Sequence, residues 1–288
     1  MAAKKAAKKK AVKPAGKKAA KKAAKPAPKK RLKILKASAT IKAAAEKSAK
    51  RAAKGAPIKK KTSGVVAPAK KPAPRKSTAA YTLHGVHLSL PSAKVGLMLS
   101  LCGLAFDFRS VDMRAGAHKT PEFLGKNRFG QVPVLEHAGH AIAQSNVILD
   151  YLSRVTGRFA AHNDLERLRV AEWLMWEQDR LANGVGLTRG LVRFGQPHHE
   201  VVAFLRQRGE RALDTLDRHL GTAKYLAGAA PTIADIAVFP WIATAEEGGF
   251  DIARWPNVQA WSQRLMALPG FALPYDLIPK RDQVMVPS

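Results

Sequence analysis

Two serines, each placed where a short strand-like run gives way to a helical one, are the residues of this sequence best set to hold an anion. Ser89 ends the run YTLHGVHLS and opens an apolar helix expected over Pro91 to Leu101. There a hydroxyl and the positive end of a helix can stabilise a negative group such as a thiolate, and the same position also suits a plain N-cap. Ser92, one turn further, is the second hydroxyl candidate. Ser145 repeats the arrangement after AIAQ, where first-turn N–H groups suit a carboxylate or, again, a cap. Cys102 offers a thiol, but it lies three turns beyond Ser89 among Leu101 and Leu104, which reads as packing. His198, His199 and Glu200 suggest a metal only superficially, because adjacent side chains on a loop seldom converge, so no metal is expected. Trp173 and Trp176, three residues apart on a helix, read with Phe194 and Trp241 as core or as walls of a pocket.

The elements that must position these groups follow from periodicity. YTLHG is a strand, the helix to Leu101 follows, and LAFDFRSVDM alternates as a second strand, giving a β-α-β opening. HKTPEFLGKN is a short helical segment, QVPVLEHAGHAIAQ gives two strands around the turn HAGH, and SNVILDYLSRVTG gives a helix that opens near Ser145. This βαβ-ββα order is that of a thioredoxin-like α/β domain, assigned to residues 78–157. Beyond Gly157 the apolar spacing is three to four residues throughout, in LERLRVAEWLMWEQDRL, HEVVAFLRQRGERALDTLDRHLG, PTIADIAVFPWIATAEEGG and VQAWSQRLMALPG. Residues 158–288 are therefore read as an all-α domain, with Thr232 and Asp235 as a capping pair.

The first 77 residues are a different polymer. They hold 28 of the 50 Lys and Arg and a single acid, Glu46, which leaves only +2 of the formal +29 for the other 211 residues. They contain 25 Lys, 23 Ala and 7 Pro in units such as AAKK and KPA, and all the Trp, Tyr and Phe lie beyond residue 80. Without apolar surface to bury, this segment is expected to be disordered when free. Its composition resembles the Lys/Ala/Pro-rich tails of linker histones and of some bacterial histone-like proteins. That resemblance implies nonspecific binding of nucleic acid or another polyanion by counterion release. If about ten lysines engage DNA at once, log K falls with log salt at a slope of roughly −9. No aromatic side chain is present to stack on bases, so base readout is not expected. The lysines have no apolar anchor beside them, no stretch of the chain is long and apolar enough to span a bilayer, and no secretory leader is read. The expected location is cytoplasmic, where the basic segment would allow association with the nucleoid.

Four ordered stretches, LHGVHLSLPSAKVGLML, GAHKTPEFLGKNRFGQVPVLE, AQSNVILDYL and PTIADIAVFPW with FDIARWPNVQAWSQRLMALPGF, resemble the cytosolic glutathione transferases, with serine and HK elements similar to the serine-type classes of plants and bacteria. The resemblance covers roughly residues 80–275. It implies that Ser89 is the catalytic serine that stabilises the glutathione thiolate. It implies that Val132, before a cis Pro133, pairs through its backbone with the cysteinyl unit. Ser145 and Gln144 would take the γ-glutamyl end, His118 and Lys119 the glycyl carboxylate, and Gln131 a further peptide contact. Glutathione enters as substrate, the second substrate is an electrophilic small molecule, and the relatives imply a homodimer. The sequence departs from the pattern at Gln144, where many relatives have Glu, at Asn146, where Arg is frequent, at Arg128, which replaces Pro, and at Leu90 and Pro91. An alternative reading makes the chain a nucleoid-associated DNA-binding protein whose transferase-like fold is a catalytically weak dimerisation scaffold.

Overall fold

A computed structural model describes residues 79–195 and 198–287, so the basic segment of residues 1–77 lies outside the described residues. The chain opens with β1 (Tyr81–Gly85), α1 (Leu90–Leu101) and β2 (Phe106–Ser110). A 3-10 turn (Ala117–Lys119) and α2 (Pro121–Lys126) lead into β3 (Val134–His137), β4 (His140–Ala143) and α3 (Ser145–Thr156). β1 runs parallel to β2 with Tyr81 opposite Phe106, and antiparallel to β3 with Leu83 opposite Leu135. This is the βαβ-ββα layer expected from the periodicity. Gly157 ends α3 in the left-handed conformation, with φ 68, which a side chain would strain.

The helical part begins with one long rod. Asp164–Trp176 (α4) passes into a π-helical segment, Glu177–Gly186, and continues as α5 (Leu187–Phe194). The widened segment packs on α6 (His199–Leu220), and glycines make the approach possible: a Cβ on Gly184 would lie 2.8 Å from the Cα of Gly209. α7 (Ile233–Ala243) is buried along nearly its whole length and starts with the capping box expected of Thr232 and Asp235. Asp235 is satisfied by the N–H of Thr232 at 2.9 Å, the N–H of Leu226 at 3.0 Å and the indole of Trp261 at 2.8 Å. Trp261 lies on α8 (Pro256–Met266) and is fully buried. Burying side chains of this kind stabilises by about 1.5–3 kcal/mol each.

α1 is the helix both halves share. Its sequence LPSAKVGLMLSL has almost no amphipathic stripe, because the sheet, α3, α7 and a short C-terminal α9 (Pro274–Leu277) cover it on every side. After α9 the chain adds a strand the periodicity did not announce. β5 (Gln283–Met285) pairs antiparallel with β2, Phe106 opposite Met285, and completes a five-stranded sheet of order β4-β3-β1-β2-β5. Asp282 fixes its start by accepting from the N–H of Ser110 at 2.8 Å and facing Arg109 at 3.5 Å. Among the described residues no helix is long and apolar enough to cross a membrane.

Candidate functional site

The sheet delivers the predicted groups to its edge through turns and helix starts. A turn closed by Ser89 N–H to Val86 O, 2.9 Å, leaves β1 and places Ser89 as the N-cap of α1. Its Oγ accepts from the N–H of Ser92 at 3.3 Å, a long bond that leaves lone-pair capacity for another donor, and the residue is partly exposed. Pro91 in the first turn costs nothing, since that N–H has no helical partner anyway. Ser92 is fully buried, and its Oγ finds no hydrogen-bond partner among the described residues. It packs against β1, where a Cβ on Gly85 would lie 2.9 Å from that oxygen. Of the two residues, Ser89 is the partly exposed one.

Opposite, the Val132–Pro133 peptide is cis and turns the chain into β3. Val132 rests against the small cluster of Val111, Phe123 and Val134, while Asn127 Nδ2 holds Gln131 O at 2.7 Å. Gln131 and Gln144 come together, Nε2 of Gln144 donating to Oε1 of Gln131 at 3.4 Å. Gln144 sits at φ 70, a conformation that carries strain in a non-glycine residue, and it caps α3 without a side-chain bond to the first-turn N–H groups. Those N–H groups, with the buried Ser145 among them, thus have no side-chain cap among the described residues. His118 and Lys119 lie on the 3-10 turn, Lys119 exposed and His118 Nδ1 buried without a partner among the described residues. Gly130, at φ 59, allows the backbone of this turn to approach the loop before Gln131, since a Cβ there would meet His118 O at 3.1 Å.

A charged network behind α1 escaped the sequence reading. Lys94 Nζ and Glu177 Oε1 are 2.7 Å apart, and neither side chain has any exposure. Asn146 joins them, accepting from Lys94 at 3.3 Å and donating to Glu177 Oε2 at 3.0 Å, while Gln178 adds a donor at 3.0 Å and Trp241 a short indole bond. Burial lowers the Lys94 pKa and Glu177 pulls it back up. Asn146, which stands where the resemblance expects Arg, therefore works beside a cation supplied from α1. The clue in the sequence was Lys94 amid SAKVGLML, a cation on a helix with no polar face. Cys102 caps the far end of α1, as expected away from Ser89; burial raises its thiol pKa. His199 and Glu200 begin α6, and no group of three or more His, Cys, Asp or Glu is gathered for a metal among the described residues.

Residues 79–154 match the model of the glutathione S-transferase N-terminal domain, and residues 196–264 match that of its C-terminal domain. Among curated proteins the chain is 32% identical over 212 residues to glutathione S-transferase 3 of Zea mays, covering 68% of this chain and 94% of that one. It is 28% identical over 194 residues to the disulfide-bond oxidoreductase YfcG of Escherichia coli K12, covering 62% and 86%. Among solved structures, a glutathione S-transferase from Pseudomonas fluorescens superposes with a TM-score of 0.65 at 33% identity, over 68% of this chain and 99% of that one. One from Xanthobacter autotrophicus gives 0.64 at 36%, over 68% and 98%. With its fold and both of its domains matched in this way, the chain belongs to the glutathione S-transferase family.

Proposed function

We propose that this protein transfers glutathione to electrophilic small molecules, with Ser89 as the catalytic residue and residues 1–77 tethering the enzyme to nucleic acid. The observation that carries the reading is Ser89 Oγ at the N-terminus of α1, held by one long bond and otherwise available. A free thiol with a pKa near 8.5 is mostly protonated at neutral pH, so a hydroxyl donor and a helix end that favour the thiolate raise the reactive fraction. Val132, whose main chain has no hydrogen-bond partner among the described residues, pairs with the cysteinyl unit, the α3 N-terminus with Ser145 and Gln144 takes the γ-glutamyl end, and His118, Lys119 and Gln131 take the glycyl end. The thiolate sulfur then attacks the electrophile, the leaving group departs with its electron pair, and the thiol proton passes to solvent.

The net +27 of residues 1–77 supports the tether. Exposed Val147 and Val155 on α3, and Leu165, Leu168 and Met175 on α4, support a homodimer, in which two basic segments would raise the effective concentration on one nucleic acid. The deciding experiment is conjugation to a model electrophile by the intact protein and by Ser89→Ala. A hydrogen bond to a thiolate contributes about 1.5–3 kcal/mol, so the bound thiol pKa should rise by about one to two units and kcat/KM near pH 6.5 fall about ten- to a hundredfold. Unchanged thiol pKa and rate in Ser89→Ala would remove Ser89 from the chemistry.

A further inference from the structure

Beside the Ser89 turn lies a group of charges that glutathione binding leaves without a role. Arg189 and Arg193 on α5 reach one oxygen of Glu247, Oε2, at 2.8 and 2.5 Å. Tyr275 on α9 donates to the other oxygen and accepts from Arg189 Nη2 at 2.7 Å. Both carboxylate oxygens are thus occupied, and among the described residues no second carboxylate is paired with either guanidinium. Burial opposes ionisation of Glu247, but the Tyr275 hydroxyl and the two guanidiniums outweigh it and hold the carboxyl below its usual range. One negative charge therefore faces two positive ones at neutral pH. Arg189 is 6% exposed and committed to the cluster, whereas Arg193 is 36% exposed, so the surplus charge is presented to solvent through Arg193.

Ring contacts link this charge to the turn that carries Ser89. His87 stands two residues before Ser89 in the same turn, its ring 5.7 Å from that of Tyr275. The Arg193 guanidinium is a further 5.7 Å from the Tyr275 ring. Beside it is Phe194, 58% exposed, with its ring 5.5 Å from the same guanidinium. An exposed aromatic surface next to an incompletely neutralised guanidinium is complementary to an aromatic ring bearing a carboxylate.

We infer that Arg193, with Phe194 and Tyr275, forms an acceptor subsite that selects electrophiles carrying a carboxylate. The inference rests on the glutathione-transfer reading, because the subsite flanks the Ser89 turn. With a chloronitroarene acid as acceptor, the thiolate sulfur bonds to the ring carbon, the C–Cl bond breaks and chloride leaves with the electron pair, while the carboxylate stays on Arg193.

The test pairs a chlorodinitrobenzoate with its methyl ester, which differ by one charge at a distance from the reacting carbon. A charge-assisted contact predicts a KM for the acid about tenfold or more below that of the ester. In Arg193→Gln the acid's KM should rise to the ester's, and Arg193→Lys should restore part of the difference. Glu247→Gln should shift the acid in the opposite direction, to a lower KM, because it removes the competing carboxylate; damage to the fold would move both variants the same way. Equal KM for acid and ester in the intact protein, or an Arg193→Gln effect shared by both, would overturn the subsite while leaving glutathione transfer intact. Calorimetric binding of unreactive dinitrobenzoate, lost in Arg193→Gln, supports the subsite even if neither compound is conjugated, in which case it is the transfer reading that fails; no binding of dinitrobenzoate by the intact protein overturns the subsite.

Discussion

Lys94→Met offers a direct measure of how the two halves of the molecule are joined, because Lys94 belongs to α1 and Glu177 to the π segment. At 2.7 Å and an effective dielectric near 20, their attraction is about 6 kcal/mol. Withdrawing both ions from water costs several kcal/mol each, so the pair as a whole contributes little net stability. Removing one partner is another matter. Lys94→Met leaves Glu177 buried but still bonded by Asn146, Gln178 and Trp241, and should cost about 3 kcal/mol. Glu177→Met leaves an ammonium whose remaining partners among the described residues are Asn146 Oδ1 at 3.3 Å and the Trp241 ring at 5.1 Å, and should cost nearer 5 kcal/mol. The double variant should lose far less than the sum, with a coupling energy of about 3 kcal/mol or more. Urea unfolding followed by tryptophan fluorescence and by circular dichroism measures all four corners of the cycle. Glu177→Met carries its own check: Lys94 already has a depressed folded pKa, and without Glu177 it falls further, so the native state binds fewer protons than the unfolded one. The stability of that variant must therefore rise as the pH is raised toward the ordinary lysine range. Additive losses, or no such recovery with pH, would refute the pairing argument.

His84 predicts a second pH effect. Burial lowers its pKa below the ordinary 6.5, with Lys126 and Arg109 acting the same way against Glu136, which is 2.6 Å away. The native state therefore binds fewer protons below pH 6.5, and stability should fall as pH drops through that value, by at most about 1.4 kcal/mol per unit. His84→Gln should flatten that part of the stability curve in thermal melts. For the basic segment, DNA retention by the full chain should weaken with salt at a log–log slope of roughly −9, whereas residues 78–288 alone should not be retained; equal retention would place the polyanion site in the folded part.

What could be read in advance was whatever is encoded locally. The strands β1 to β4, the helical spacing after Gly157 and the Thr232–Asp235 cap each depend on neighbours within a few residues and appear as expected, although the alternation expected of β2 does not, since Phe106, Asp107 and Phe108 are all buried. β5 did not register because three residues with exposed Gln283 and Val284 carry no pattern; the edge of β2, nearly two hundred residues earlier, makes them a strand. The π segment was likewise invisible, since its apolar spacing still passes for α-helical, and its packing depends on Gly209 of another helix. Lys94 stands out on an apolar helix but its partner does not, and Arg189 looks like an ordinary surface cation until Glu247 is brought to it. In the site itself, the helix starts at Ser89 and Ser145 were legible, whereas the charge beside them is assembled from distant segments.

The pairing of β5 with β2 has a consequence for synthesis. β2 emerges from the ribosome early, and its β5-facing edge stays unoccupied until Gln283–Met285 are released. Every earlier element can form while translation continues, but the sheet closes only when Met285 comes opposite Phe106. Products that stop before Gln283 thus keep an exposed strand edge on β2, a site at which another chain can pair.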